Sequence, residues 1–402
     1  MPRQPDAIVV GGGPAGATAA RTMAAHGLRV VLLEARRLPR PKICGGGLTP
    51  KAQQLAPRAA LATVDRLVER SELRAPGIAP IRLVAPAARI AMVERAQFDF
   101  ALVEAAATVG AEIRDGTPAL DLAEDAFGAL VTTPTERLRA DTVVLADGEP
   151  SRLARRVGLG GPARRLALAL EVDLPFSPAV APDTAVLEFA LPGGYAWYFP
   201  KGDHASVGIG SYRANRRRTL RADLARFARS LELDPTAGHM AGHWIPQGLR
   251  RGRVSSPRVV LAGDSAATAD PLFGEGISYA MLSGIVAAQT IEAFGDRRLA
   301  DLRPYDARLR STLGPALVRL HWTARVVEVL LAPALFAVRQ SRAVRETAVD
   351  VIAGRSGVFA LERDCRLACL CSFRDAACRR CVLSADAGPR CGRCGASLAP
   401  AA

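Results

Sequence analysis

The beginning of the chain alternates between short apolar runs and turns rich in glycine. An apolar run at 7–10 leads into a glycine-rich turn at 11–16, and a segment of small residues then extends to His26. A second apolar run at 30–33 ends at Glu34. Short apolar runs bounded by glycine are typical of buried strands, and the segment between them has the length of a helix. The pattern predicts a strand, a tight turn, a helix and a second parallel strand that ends on an acid.

The turn has the glycine spacing of a dinucleotide-binding fingerprint. Gly11 permits the tight turn, Gly13 lets the backbone approach a pyrophosphate, and Gly16 lets helix and strand pack closely. The pyrophosphate would lie at the helix N-terminus, where unpaired N–H groups and the helix dipole favour negative charge. Glu34 is placed to accept a hydrogen bond from a ribose hydroxyl. These residues predict a bound dinucleotide. The alternative is a tight turn that holds no ligand. The predicted site also includes Ala15 and Ala35.

The rest of the chain divides into further segments with helix or strand periodicity. Residues 164–212 alternate between apolar and polar positions and contain regular Gly and Pro, which indicates an antiparallel sheet. That sheet would interrupt a nucleotide-binding lobe, which resumes near residue 255. Helices are predicted at 53–72, 98–109 and 276–294, and strands at 81–84, 90–93, 141–146 and 259–262.

Length and charge limit the classes to which the protein belongs. A chain of 402 residues exceeds what one hydrophobic core usually supports, so two or more lobes are expected. The formal net charge is +14, but only Lys42, Lys51 and Lys201 of the 53 basic residues are lysine. A biased composition that spreads arginines over solvated faces explains this charge without a nucleic-acid partner. Contact with an anionic membrane surface is the alternative.

Targeting and membrane signals favour a cytoplasmic protein. The first predicted strand begins within seven residues of Met1, so we expect no secretory signal. No uninterrupted apolar run reaches the roughly 18 residues that a membrane-spanning helix needs. The eight cysteines are then expected in metal or redox roles rather than in structural disulfides.

Two acidic turns follow predicted strands later in the chain. Residues 143–148 read Val-Val-Leu-Ala-Asp-Gly, with Ser151 and Arg152 close behind. Residues 260–266 read Val-Leu-Ala-Gly-Asp-Ser-Ala, and residues 270–277 read Asp-Pro-Leu-Phe-Gly-Glu-Gly-Ile. Together with the N-terminal glycine turn, and in the same order, these elements resemble the flavin family that includes para-hydroxybenzoate hydroxylase and the geranylgeranyl reductases.

The resemblance implies that the dinucleotide is FAD rather than NAD. It gives Asp264 the role of the family's aspartate, which bonds the ribityl chain of FAD. The turn at Gly274 and Gly276 would present the N-terminus of the helix beginning near Ile277 to the flavin pyrimidine ring. A helix N-terminus there would stabilise negative charge on the reduced flavin.

Three further segments narrow the family. Residues 41–48 read Pro-Lys-Ile-Cys-Gly-Gly-Gly-Leu and resemble the KxCGxG element of geranylgeranyl reductases, which implies that Cys44 and Gly45 lie beside the flavin. Residues 193–201 are similar to the YxWxFP element of the same enzymes. The segment beginning at Arg95 is similar to the family's RxxFD segment, which would bring Arg95 to FAD; a helix-capping salt bridge is the alternative for that side chain.

Aromatic side chains and one cysteine form the candidate catalytic group. Tyr195, Trp197 and Phe199 alternate along a predicted strand, so all three point to one face. They would form a wall for an isoprenoid chain, or else an aromatic stripe of the core. Cys44 has three interpretations: an alkene-site residue that supplies a proton, a small residue packed between glycines, or a redox thiol near the flavin. Thiol reactivity depends on a lowered pKa, which the sequence does not reveal.

The C-terminal region is rich in cysteine. Cys378, Cys381, Cys391 and Cys394 form two CxxC pairs separated by nine residues, and two such knuckles can hold zinc tetrahedrally. An iron–sulfur cluster that also uses Cys365, Cys369 and Cys371 is an alternative, as is disorder. Upstream, the apolar stretch at 326–338 is flanked by arginines and is interpreted either as a packed helix pair or as a peripheral membrane contact.

The resemblance implies an α/β fold: a Rossmann-like FAD-binding lobe with an inserted antiparallel β-sheet substrate lobe, C-terminal helices and a small Cys-rich tail. The leading hypothesis is an FAD-dependent oxidoreductase that saturates C=C bonds of an isoprenoid, whether a geranylgeranyl-type lipid, a diphosphate or a prenylquinone. NADPH or a ferredoxin-like carrier would donate the electrons. The alternatives are a monooxygenase or halogenase of the same fold, a quinone-linked dehydrogenase, and a redox sensor with a zinc-ribbon partner site.

The predicted boundaries are 1–160 and 255–300 for the FAD-binding lobe, 161–254 for the substrate lobe, 301–360 for the helices and 361–402 for the tail.

Overall fold

The computed structural model describes residues 4–352 of the chain. The strands are β1 (Ala7–Val10), β2 (Val30–Leu33), β3 (Gly47–Leu48), β4 (Val64–Val68), β5 (Arg70–Ala75), β6 (Ile78–Val84), β7 (Ile90–Val93), β8 (Glu112–Arg114), β9 (Asp121–Asp125), β10 (Gly128–Thr132), β11 (Arg137–Ala140), β12 (Thr142–Leu145), β13 (Ala163–Leu174), β14 (Thr184–Glu188), β15 (Gly194–Lys201), β16 (His204–Ser211), β17 (Ala241–Arg250) and β18 (Val259–Leu261). The helices are α1 (Pro14–Ala25), α2 (Pro50–Leu55), α3 (Arg58–Leu61), α4 (Arg95–Thr108), α5 (Arg152–Arg156), α6 (Leu220–Ser230), α7 (Ile277–Gly295), α8 (Pro304–Val329), α9 (Leu331–Gln340) and α10 (Arg342–Ile352).

A five-stranded parallel sheet forms the first lobe. Its strand order is β18-β12-β1-β2-β8, and every pairing in it is parallel. The strands β1, β2, β12 and β18 are buried along their whole length, which explains why they read as continuous apolar runs. Helix α1 packs against α7 closely, because a Cβ at Gly284 would overlap the backbone of Ala15. The predicted Rossmann-like lobe is confirmed.

A seven-stranded sheet forms the second lobe. Its order is β17-β13-β16-β15-β14-β5-β6, and all pairings are antiparallel except the parallel pair β14–β5. The strands β5 and β6 come from residues 70–84, so the predicted substrate lobe of 161–254 does not supply the whole sheet. Helix α6 covers one face, where Leu224 and Phe227 pack on Val207. The other face carries the alternating aromatic residues, which cluster with Leu335 and Val338 of α9.

The helix predicted at 53–72 is wrong. The chain forms the short helices α2 and α3 there, and then the strands β4 and β5. Pro57 lacks an N–H and disfavours helical backbone in the residue before it, which ends α2. Beyond it, Val64 and Val68 pair with Val93 and Ile90 of β7, and this tertiary pairing overrides the helical periodicity of the segment. The helices predicted at 98–109 and 276–294 and the four predicted strands are confirmed.

The C-terminal helices α8 and α9 are bent by 98° at their junction. Among the described residues, α7 alone is as long and apolar as a membrane-spanning helix, and the bent pair α8–α9 passes the same test when counted together. In α7, 78% of the apolar window is buried inside the protein. Helix α7 packs against α1, and its apolar composition is therefore that of a core helix.

Candidate functional site

The glycine turn after β1 leaves an open position at the N-terminus of α1. Gly11 has a φ of +105°, which favours glycine, and a Cβ there would overlap the carbonyl of Ala146. A Cβ at Gly16 would overlap the carbonyl oxygen of Gly11. At Gly13, in contrast, a Cβ would meet only the guanidinium of Arg40, at 3.8 Å. No side chain caps α1, so its first N–H groups are free to bind an anion beside Ala15.

Glu34 lies at the end of β2 and faces this turn. Its buried carboxylate accepts hydrogen bonds from the N–H of Gly12 at 2.9 Å and of Arg36 at 3.1 Å. The Nε of Arg40 lies 3.1 Å from Oε2 of the same carboxylate. The acid predicted to bind a ribose is therefore fixed against the turn, and Ala35 is exposed next to it.

A chain of ion pairs runs from Glu34 to Arg95, whose guanidinium lies beside Cys44. Arg40 bonds both Glu34 and Asp99, and Asp99 accepts two further hydrogen bonds, each 2.8 Å long, from Arg95. Asp99 is fully buried. Burial opposes the charge on Arg95, but the neighbouring Asp99 and Cys44 outweigh it and hold the pKa of Arg95 above its ordinary value. Arg95 therefore forms a salt bridge within α4 and also reaches the cysteine.

The loop that carries Cys44 rests on the aromatic face of the large sheet. A Cβ at Gly45 would lie 2.6 Å from the ring of Phe199 and 3.3 Å from the indole nitrogen of Trp197, so only glycine fits this contact. The N–H of Cys44 donates to Glu171 at 3.3 Å. The sulfur of Cys44 accepts a hydrogen bond from the N–H of Gly46 at 3.5 Å.

The three predicted aromatic residues lie on one face of β15. The ring centroids of Tyr195 and Trp197 are 6.0 Å apart, and those of Trp197 and Phe199 are 6.3 Å apart. The hydroxyl of Tyr195 donates to the carbonyl oxygen of Phe273 at 2.6 Å, which joins this face to the turn before α7. Helix α9 packs Leu335 against the same apolar cluster. We call Tyr195, Trp197 and Phe199 the aromatic wall.

Asp264 lies in the turn that follows β18, opposite two basic groups. The Nε2 of His243 is 3.8 Å from the carboxylate of Asp264, and the Nζ of Lys42 bonds the same ring nitrogen of His243. Burial lowers the pKa of Lys42 to about 8, although Asp264 partly opposes this shift. Lys42 and His243 were not among the predicted site residues. The position of Lys42 within the KxCGxG-like element and the scarcity of lysine were the signals for it.

Asp270 shapes the turn before α7. One oxygen of its buried carboxylate accepts from the N–H groups of Leu272 at 2.7 Å and Phe273 at 2.9 Å, and the other accepts from Glu275 at 2.8 Å. Burial and the nearby Glu275 raise the pKa of Asp270 to about 6. The role of Asp270 was not predicted, because its three partners are backbone groups.

The same turn directs the N-terminus of α7 toward Asp264. Gly274 has a φ of +69°, and Gly276 immediately precedes Ile277, the first residue of the helix. A Cβ at Gly276 would lie 3.9 Å from Oδ1 of Asp264. Lys51 pairs with Glu275 at 3.2 Å and braces the turn from α2.

Glu171 is a further buried carboxyl beside the wall that was not predicted. It is 7% exposed, and burial raises its pKa to about 7, with Asp173 adding to the shift and Lys201 opposing it. The signal in the sequence was an acid within the apolar strand-like segment 167–174, in which Asp173 is the other polar residue.

The predicted metal ligands Cys378, Cys381, Cys391 and Cys394 lie outside the described residues. Within residues 4–352, no three His, Cys, Asp or Glu side chains are grouped so as to hold a metal ion.

These residues fit a flavin dinucleotide in three respects. Gly13 leaves room at an uncapped helix N-terminus, as a pyrophosphate requires. Glu34 is held beside that position. A second helix N-terminus, at Gly276, meets Asp264 on the side of the aromatic wall. The fit extends over residues from four separate segments of the chain.

Several known proteins are similar to this chain in sequence and in fold. The family model described as an FAD binding domain matches residues 4–294. The menaquinone reductase of Mycolicibacterium smegmatis is 32% identical over 321 residues, which cover 73% of this chain and 78% of that protein. The geranylgeranyl diphosphate reductase of a Synechocystis species is 32% identical over 329 residues, which cover 74% of this chain and 79% of that protein. The crystal structure of a geranylgeranyl bacteriochlorophyll reductase-like protein from Thermoplasma acidophilum superposes with a TM-score of 0.75 at 27% identity and covers 87% of this chain and 96% of that one.

Proposed function

The chain belongs to the geranylgeranyl reductase family of FAD-binding proteins, and from this membership we propose that it saturates C=C bonds of an isoprenoid. The observation that carries the proposal is the aromatic wall closed by Gly45 of the Cys44 loop. The wall contacts the loop that carries Cys44 and, through the hydroxyl of Tyr195, the turn before α7. An apolar chain placed there would lie between the wall and the cofactor.

FAD would be held by the glycine turn at 11–16, by Glu34 and Asp264, and by the turn at 274–277. Once reduced, FAD supplies a hydride to the alkene. The protein's own residues would bind and orient the substrate: Trp197 and Phe199 give the prenyl chain a flat apolar surface and exclude water from it. Holding the reacting carbon in place removes most of the entropic cost of the encounter.

The substrate class is a prenylated molecule with an apolar chain. The geranylgeranyl diphosphate reductase among the relatives supports a geranylgeranyl diphosphate or lipid, and the menaquinone reductase supports a prenylquinone. The electron donor is proposed to be NADPH or a ferredoxin-like carrier. The given sequence has no second GxGxxG turn.

The test combines donor screening with mass spectrometry. The purified protein is loaded with FAD, reduced anaerobically with NADPH or with a reduced ferredoxin, and incubated with a prenyl diphosphate, a prenylated glycerolipid or a prenylquinone. The expected product gains two hydrogen atoms for each saturated bond. Oxygen-dependent hydroxylation or halogenation of an aromatic compound, with no saturation of any prenyl substrate, would support the monooxygenase or halogenase alternative and overturn the proposal.

A stripe on α8 is proposed to contact the cytoplasmic surface of a membrane that contains the substrate. Val318, Trp322, Val326 and Val329 lie on one side of the helix and are between 50% and 80% exposed. The exposed Arg325 lies in the same stripe and would attract anionic headgroups. The expected result is cosedimentation with anionic vesicles that Trp322→Glu abolishes, while FAD content is unchanged. Equal recovery of both proteins in the supernatant would refute it.

A zinc ion at Cys378, Cys381, Cys391 and Cys394 is proposed as a structural element of the tail. Four thiolates in two CxxC pairs are a typical zinc ligand set. The expected zinc content is one ion per chain, lost in Cys378→Ser and retained in Cys44→Ser. Iron with acid-labile sulfide instead of zinc would contradict the proposal.

A further inference from the structure

Glu171 and Trp197 lie in the same row of the large sheet, on either side of Gly208. Gly208 of β16 pairs with Glu171 of β13 and with Trp197 of β15. Because Gly208 has no side chain, the indole of Trp197 extends over it, toward β13. The carboxyl of Glu171 therefore belongs to the surface on which the wall lies, although it is 26 positions away from Trp197 in the sequence.

The carboxyl of Glu171 is buried, and its two oxygens differ in their hydrogen bonding. Oε1 accepts from the N–H of Cys44 at 3.3 Å, while Oε2 has no hydrogen-bond partner within residues 4–352. A buried carboxylate oxygen without a partner is costly, and protonation lowers that cost because it removes the buried charge. Burial accordingly raises the pKa of Glu171 to about 7.

The charged and titratable groups around Glu171 come from three neighbouring segments. Lys201 of β15 favours the carboxylate, Asp173 of β13 disfavours it, and Cys44 lies on the loop above. The hydroxyl of Ser206 on β16 also favours the carboxylate. These influences leave a carboxyl that is protonated in a substantial fraction of molecules near neutral pH.

Two other candidate proton donors on the wall are less suitable. The hydroxyl of Tyr195 is already committed to the carbonyl oxygen of Phe273, and burial raises the pKa of Tyr195 above its ordinary value. The sulfur of Cys44 accepts a hydrogen bond from Gly46, and the guanidinium of Arg95 lies beside it. In both contacts the sulfur faces a hydrogen-bond donor.

We propose that Glu171 is the general acid that protonates the alkene, an assignment that rests on the proposed function. The O–H bond of the Glu171 carboxyl breaks and a C–H bond forms at one alkene carbon. The hydride supplied by reduced flavin forms the second C–H bond at the other carbon. The π bond is consumed, the flavin is oxidised, and Glu171 remains as a carboxylate until solvent returns its proton.

The first test needs no turnover. The wild-type protein, loaded with FAD and labelled with ¹³C-carboxyl glutamate, is titrated by infrared difference spectroscopy. A protonated carboxyl band that disappears around pH 7 is expected, and it should be absent from Glu171→Gln. Glu188→Gln is the matched control, because Glu188 is a half-buried carboxyl of raised pKa on the opposite face of the same sheet. Persistence of the band in Glu171→Gln would overturn the assignment, as would its absence from the wild type.

The second test follows single-turnover oxidation of reduced FAD by a prenyl substrate. The wild-type rate is expected to fall as the pH rises above about 7, and Glu171→Gln should be slower by about 100-fold or more and lose this pH profile. Glu171→Asp should keep part of the rate, and Glu188→Gln should resemble the wild type. If wild type and Glu171→Gln have equal rates and equal pH profiles, the assignment of Glu171 as general acid is refuted, while the proposed function is not. A wild type that saturates no prenyl substrate would refute the proposed function instead.

Discussion

The indole of Trp197 lies directly over Gly208 of the neighbouring strand, so closely that a Cβ at Gly208 would overlap the six-membered ring. The nitrogen of the same indole donates to Ser206 at 3.3 Å, which fixes its orientation along β16. The shape of the aromatic wall therefore depends on a position that has no side chain. A flat apolar surface of this kind requires both the aromatic residue and the glycine beside it.

Gly208→Ala is expected to displace Trp197 and impair the substrate surface. Forcing a methyl group under the ring should destabilise the fold by about 1–3 kcal/mol. Turnover of a prenyl substrate should fall at least about tenfold while bound FAD is retained, since the FAD-binding residues are elsewhere. Gly210→Ala is the control, because a Cβ there would meet its nearest neighbours at an ordinary 3.7–3.8 Å. Equal activity of the two variants would contradict this view of the wall.

Gly13→Ala and Gly16→Ala are expected to fail in different ways. The φ of Gly13 is −79°, which any residue adopts, and a Cβ there has room, so the FAD-free protein should fold normally. Its methyl group would occupy the space of the pyrophosphate and weaken FAD binding by about tenfold or more, or about 1.4 kcal/mol. Gly16→Ala should instead lower the stability of the FAD-free protein, because its Cβ overlaps Gly11. FAD titration and thermal unfolding distinguish the two, and an equal loss of stability in both would contradict the assignment.

Asp99→Ala is expected to destabilise the protein strongly. Asp99 is fully buried and bonds both Arg95 and Arg40. Its removal leaves the buried guanidinium of Arg95 without a carboxylate partner, and leaves Arg40 paired with Glu34 alone. Breaking a buried pair from one side costs about 3–5 kcal/mol, measurable by urea denaturation. Asp125→Ala removes an exposed pair with Arg139 and should change stability little. Similar effects of the two substitutions would contradict the proposed importance of the buried chain.

Because of Lys42, the free energy of unfolding is expected to rise with pH in the alkaline range. Its pKa is about 8 in the folded protein and 10.5 ordinarily, so between these values the unfolded chain binds more protons than the native one. Unfolding free energy then increases with pH over this window, by at most about 3 kcal/mol, and the gain is absent below pH 8. The difference between wild type and Lys42→Met, measured by urea denaturation from pH 7.5 upward, isolates this contribution. A difference that does not change with pH would contradict a buried Lys42.

Local patterns were sufficient for the parts of the fold that depend on neighbours in sequence. The glycine turn before α1 was predicted because the spacing of Gly11, Gly13 and Gly16 itself determines the geometry. The common face of Tyr195 and Trp197 was predicted because alternation along a strand has a fixed period.

Contacts between distant segments were not predictable in the same way. Glu171 meets Cys44 across 127 positions, and Lys42 meets His243 across 201, so nothing in either local pattern indicates the pair. The prediction of a helix at 53–72 was wrong for the same reason, because the pairing of β4 with β7 outweighs local periodicity. Asp270 was missed because it bonds only backbone groups.

The most direct test of the central claim is a single-turnover experiment with the wild-type protein. FAD is reduced anaerobically on the enzyme, excess reductant is removed, and a prenyl diphosphate or prenylquinone is added. The account predicts that the absorbance of oxidised flavin returns and that one bond is saturated for each flavin reoxidised, with a mass gain of two hydrogen atoms. A flavin that stays reduced in the presence of every prenyl substrate, or is reoxidised only by oxygen, would contradict it.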